Sequence, residues 1–143
     1  MNTLRLLEKK LKVQQQIYNK ALKAAVKASA QLKSHRQQLD YLQQIQSEYS
    51  PAEGLTFNRL ALLNRRHFVD YLQQMALHQL QQVEQDKQQS ELCNQKVFEE
   101  KQKLDALEKK VSQQQTLRKI EAERKEQALV DDLVNSRFQP ASD

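Results

Sequence analysis

Apolar side chains recur at intervals of seven along the first third of the chain: Leu4, Leu11, Tyr18, Ala25, Leu32, Leu39, then Gln46. Three positions later in each step stand Leu7, Gln14, Ala21, Ala28, His35, Leu42 and Tyr49. Eleven of these fourteen positions are apolar, the paired a and d pattern of a coiled-coil seam. Such regularity argues against both disorder and a globular fold. The alanines at 21, 25 and 28 leave room for close approach of a partner helix. Polar Gln14, His35 and Gln46 weaken the seam and can set its register, which is the role expected of His35.

A second series runs through Val69, Ala76, Val83, Ser90, Val97, Leu104 and Val111. Its companions three positions later are weaker: Leu72, Cys93 and Leu107, with Gln79, Asp86 and Glu100 diluting the rest. Beyond Val111 the spacing slips at Ser112–Gln115 and resumes at Leu117, Ile120, Leu129, Leu133 and Phe138, a register change that alters local supercoiling.

Between the two series lies "SEYSPAEGLTFNR", which holds the single glycine, Gly54, and one of two prolines, Pro51. Ser50 reads as an N-cap, Pro51 as a first helical residue and Glu53 as its capping-box partner. Gly54 stops that turn, and Thr56 or Asn58 caps the next helix. The expected architecture is therefore all-α: a long antiparallel two-helix coiled coil, a helical hairpin with unequal arms. Helix 1 covers about 4–49, a loop about 50–56, helix 2 about 57–137, and a disordered tail 138–143.

At 1.5 Å per residue the arms are about 70 Å and about 120 Å long. Folding about residue 53 sets Leu4 opposite about Leu104 and leaves some thirty C-terminal residues without an intramolecular partner. An isolated amphipathic helix is marginal in water, so this extension is expected to engage another protein.

Composition agrees with helix and removes most chemistry. The chain has 143 residues, one glycine, 38% hydrophobic content and a mean hydropathy of -0.86. One glycine excludes a glycine-rich phosphate loop. Cys93 is alone, so no intramolecular disulfide forms, and a reducing compartment is expected. No apolar run reaches the length of a signal peptide or a membrane span, so a cytoplasmic protein is expected. His67 and His78 lie eleven residues apart, about 16 Å along a helix, too far to share a metal. Glu99–Glu100 and Asp131–Asp132 read as solvated faces. No catalytic residue, metal or cofactor is expected, and the protein is read as a non-enzyme.

The net charge of +5 is uneven: residues 1–40 carry nine Lys or Arg against Glu8 and Asp40. A basic helix face suits nucleic acid, anionic lipid or an acidic protein surface. Against nucleic acid, these lysines read as distributed around the helix and no aromatic residues interleave with them. Large apolar groups gather on both sides of the break, at Leu42, Ile45, Tyr49, Phe57, Phe68, Tyr71, Leu72 and Met75. One seam does not need them all, so some are exposed, either thickening the hairpin tip or forming a docking patch.

The stretches "QLDYLQQIQSEY" and "RRHFVDYLQQM" flanking the break, with the charged end "RKIEAERKEQALVDDLVNSRF", make the chain resemble the FliJ family over nearly its whole length. That family supplies the coiled-coil component of the flagellar type III export apparatus. The resemblance implies a stalk that enters the hexameric export ATPase ring, promotes its assembly, links it to the cytoplasmic domain of the export gate FlhA and escorts export chaperones. Such a protein sits in the cytoplasm, peripheral to the inner membrane through the gate.

The resemblance also implies a gate-binding patch, carried onto Gln38, Leu42, Ile45 and Tyr49 of the first arm and Phe68, Leu72, Met75 and Gln79 of the second. Ile45 replaces a tyrosine of the family pattern, Met75 a small residue, and Gln79 a histidine that His78 adjoins. Candidate ring contacts are Arg118, Arg124, Lys125, Asp131, Asp132 and Arg137. An injectisome stalk, a basic nucleic-acid-binding coiled coil and a scaffold are the competing readings.

Overall fold

A computed structural model describes residues 2–49 and 59–138. The chain is all-α, two helices packed against one another: α1 (Asn2–Glu48, 47 residues) and α2 (Arg59–Phe138, 80 residues). No strand occurs among the described residues. A Tyr49 N–H bond to the Ile45 carbonyl at 3.0 Å carries the helical pattern past Glu48. The capping and turn residues proposed between Ser50 and Asn58, Phe57 with them, and the tail beyond Phe138 lie outside the described residues.

The seams account for the burial pattern. Letting Leu4 and Val69 each begin a heptad at a, all thirteen a and d positions of α1 from Leu4 to Gln46 are buried or half-buried, and Tyr49, the d position just past its end, is exposed. All fourteen from Val69 to Gln114 in α2 are so as well. Seven of the nine basic residues among 1–40 fall at b, c or f, the positions facing away from the seam: Arg5, Lys9, Lys12, Lys20, Lys23, Lys27 and Lys33. The basic residues are therefore more ordered around α1 than their sequence order suggests, because they avoid the stripe that must be buried.

Contacts group the chain into two units. In the first, Asn19–Glu99, His35 meets Asp86, Gln38 meets Gln79 and Tyr49 meets Phe68, so the helices run antiparallel. Its core consists of Ala21, Ala25, Ala28 and Leu39 against a series that includes Leu72, Val83 and Ser90. Small residues on α1 permit the helices to approach closely. The polar layer is satisfied internally: His35 Nδ1 pairs with Asp86 Oδ2, and Gln82 donates to Asp86 Oδ1 at 3.3 Å.

The second unit comprises Met1–Tyr18 and Glu100–Asp143. Leu104, 1% exposed, and Val111 are its most buried apolar residues. Gln14 Nε2 donates to both the backbone carbonyl (3.2 Å) and the carboxylate of Glu100. Lys103 approaches the same carboxylate at 3.4 Å, and Lys101 Nζ lies 5.3 Å from the Tyr18 ring centroid. Glu100, expected on a solvated face, is buried; it occupies a d position and its charge is held by hydrogen bonds.

This pairing moves the register. With Gln14 beside Glu100, equal rise along both helices sets Leu4 level with about residue 110, not Leu104. The extension is accordingly shorter than expected: exposure of every side chain begins at residue 115 and continues to residue 137.

Candidate functional site

The eight residues of the candidate gate patch share one geometric property. Gln38, Ile45, Phe68 and Met75 are g positions, whereas Leu42, Tyr49, Leu72 and Gln79 are d positions. In an antiparallel pair, d and g of both helices border the same side, so the Asn19–Glu99 unit presents all eight along one face. The contacts agree. The Tyr49 and Phe68 rings meet edge to face, with centroids 5.0 Å apart and planes at 73°. Gln79 Nε2 donates to the His35 carbonyl at 3.1 Å and to Gln38 Oε1 at 3.2 Å.

Exposure divides the eight into two roles. Tyr49 (44%), Phe68 (41%) and Met75 (38%) are open to a partner, and Gln38 is exposed. Leu42, Ile45 and Gln79 are half-buried. Leu72 is only 4% exposed. It is a seam residue, so its contribution to any surface passes through the position of its neighbours.

One open hollow borders this face, framed by Gln38, Leu42, Met75 and Gln79 together with Ser34, Gln37 and Tyr41. Another touches only Tyr49 of the eight and otherwise opens toward the a and e side, at Leu62, Val69 and Arg66. Tyr41, 65% exposed, was outside the expected patch. It is a c position, one step round the helix from g, and assigning heptad letters to the exposed aromatics would have brought it in.

The candidate ring contacts Arg118, Arg124, Lys125, Asp131, Asp132 and Arg137 all lie on the exposed extension. Across 115–137 five basic residues balance five acidic ones. The apolar groups there are also exposed, including Leu129 at 65% and Leu133 at 66%. Gln127 donates to Asp131 Oδ1 at 3.2 Å within the helix. Arg118 and its companions thus stand on a mixed surface, with no cluster of one charge.

No three His, Cys, Asp or Glu side chains among the described residues are grouped to hold a metal. His67 and His78 are both exposed, and Cys93 is half-buried, with Gln89 Nε2 3.7 Å from its Sγ. No helix of the described residues is long and apolar enough to cross a membrane. What the geometry provides is helical faces that carry exposed apolar and polar side chains side by side.

Comparison with known proteins adds one finding. A family model described as Flagellar FliJ protein matches residues 4–142, nearly the whole chain. No curated protein and no solved structure gives a significant match.

Proposed function

The chain belongs to the FliJ family, the non-catalytic coiled-coil component of flagellar type III protein export, and from that premise we propose that it is the central stalk of the export ATPase ring. In this reading it promotes assembly of the hexamer, joins the ring to the cytoplasmic domain of FlhA, and escorts export chaperones. Its place is peripheral, at the cytoplasmic side of the inner membrane, through the gate.

The observation that carries the gate half of the proposal is the alignment of all eight patch residues on d and g of the Asn19–Glu99 unit. A partner surface can contact residues from both arms without opening the seam. Exposed Tyr49, Phe68 and Met75 supply apolar area, and Gln38 supplies an amide. Aromatic anchors surrounded by polar groups are the usual energetic centre of such contacts.

The ring half is supported by the extension. Residues 115–137 have exposed side chains of both charges interspersed with exposed aliphatics such as Leu129 and Leu133, a mixed surface with no intramolecular cover that suits contact with the inner wall of a ring. The test is a pull-down of the full chain with the export ATPase and, separately, with the gate's cytoplasmic domain, read beside ATPase stimulation. Binding to both with stimulation is expected; binding to neither would overturn the proposal.

A further inference from the structure

The same unit has an opposite side, bordered by a and e positions, that the gate patch does not use. There, Leu22, Val26, Ser29 and Ala30 of α1 frame an open furrow with Asn94 and Val97 of α2. Val26 is 68% exposed, and Leu22 and Val97 are half-buried. The furrow exists because the seam beneath it is built from alanine: Ala21, Ala25 and Ala28 are buried but fill little space. Small side chains between flanking aliphatics admit the ridge of another helix, whose axis then lies about 8–10 Å away.

The rim has a definite charge. Lys23, Val26, Ala30 and Lys33 follow one another at spacings of three and four, so they form a single column along α1. Arg36, at e, continues the border, while Lys27, at c, lies farther round α1 toward the g positions. All four cations are exposed and no carboxylate of the described residues pairs with them. On the α2 rim, exposed Lys87 and Glu91 offset each other.

We infer that this furrow is a second protein-docking surface, whose occupant is an amphipathic helix with an aliphatic stripe and an acidic flank. The stripe lies over Leu22, Val26 and Val97, and the acidic flank faces Lys23, Lys33 and Arg36. A second copy seated on the same furrow would oppose these cations with their own counterparts. A nucleic acid or an anionic membrane would use the lysines but leave the furrow empty. The surface lies on the side away from the d and g positions, so a helix docked here leaves the gate patch open, and its occupancy does not depend on the gate reading.

The test uses the full chain and two synthetic helical peptides of about six turns: one with a leucine stripe flanked by glutamate, the other with lysine in place of glutamate. Calorimetric titration is expected to show the glutamate peptide binding at least tenfold more tightly than the lysine peptide. Lys23→Glu with Lys33→Glu and Arg36→Glu should weaken it at least tenfold, and Val26→Asp several-fold. Circular dichroism should be unchanged, because all four side chains are exposed. Met75→Ala, on the other face, should leave peptide binding unchanged.

Equal affinity for both peptides, or indifference to the charge reversal, would overturn the inference. So would dimerisation in sedimentation that the peptide competes away. Binding to phosphatidylglycerol vesicles or duplex DNA that is tighter than to the peptide, and abolished by the same charge reversal, would assign the lysines to lipid or nucleic acid instead.

Discussion

Gln79 donates through Nε2 to Oε1 of Gln38 at 3.2 Å, so one residue of the candidate gate patch holds another that comes from the opposite arm. The same amide reaches the His35 carbonyl at 3.1 Å. Because Gln38 is oriented by Gln79, the two should act as one unit. Gln38→Ala and Gln79→Ala are each expected to weaken binding to the gate's cytoplasmic domain, and the double variant to weaken it little further. Additive losses in a double-mutant cycle would show that they contribute separately.

Leu72 and Phe68 are one turn apart on α2 but differ in exposure, 4% against 41%. Leu72→Ala is therefore expected to lower unfolding free energy by about 2–5 kcal/mol, the range for a buried leucine. Phe68→Ala removes an edge-to-face contact with Tyr49 and exposed ring area, and should cost about 1 kcal/mol. Gate binding should fall more for Phe68→Ala than for Leu72→Ala when both chains are compared below their unfolding transitions. Urea titration and a binding titration on each variant decide the matter, and the opposite ranking in either would contradict the assigned roles.

Gln14 and Glu100 form a buried polar pair in the Met1–Tyr18, Glu100–Asp143 unit. Glu100→Leu leaves the Gln14 amide in the seam with its carboxylate partner gone, and should cost about 1–3 kcal/mol. Replacing both, Gln14→Leu with Glu100→Leu, should recover most of that loss or exceed the original stability, since apolar packing substitutes for a desolvated charge. Thermal unfolding of the single and double variants measures this. A double variant as unstable as the sum of its parts would mean that the pair is not what destabilises the single change.

Truncation separates the extension from the seam. A chain ending at residue 115 keeps Val111, which is 6% exposed, and among the described residues loses only side chains that are exposed. Its unfolding midpoint is expected to stay within a few degrees of the full chain, while stimulation of the export ATPase is lost. Ending the chain at Leu107 removes Val111 and half-buried Gln114 as well, so it should also destabilise the unit. Full ATPase stimulation by the chain ending at residue 115 would exclude the extension from the ring contact.

The two-helix architecture and both seams were legible in the sequence because burial in a helical pair demands a period of three and four, and little else satisfies it. The polar interruptions were legible only as weaknesses. Gln14 and His35 on one helix, and Gln79, Asp86 and Glu100 on the other, each look unfavourable until they are paired across the seam. That pairing depends on the relative shift of two helices, which periodicity within either one does not contain. The same gap explains Glu100, whose acidic neighbour Glu99 is exposed, and Leu72, whose place in a patch and whose burial follow from one d position.

Polar layers that lie at unequal intervals act as a vernier. Moving one helix past the other by a heptad would bring Gln14 against Cys93 or Leu107 in place of Glu100, and would strand a carboxylate in an apolar layer. The amount of α2 left over beyond the seam is thus metered by its own side chains instead of by the connection between the helices. Exchanging Gln14 with Leu7 would set a two-turn shift demanded by Glu100 against the unshifted pairing of His35 with Asp86, so no single register would satisfy both layers.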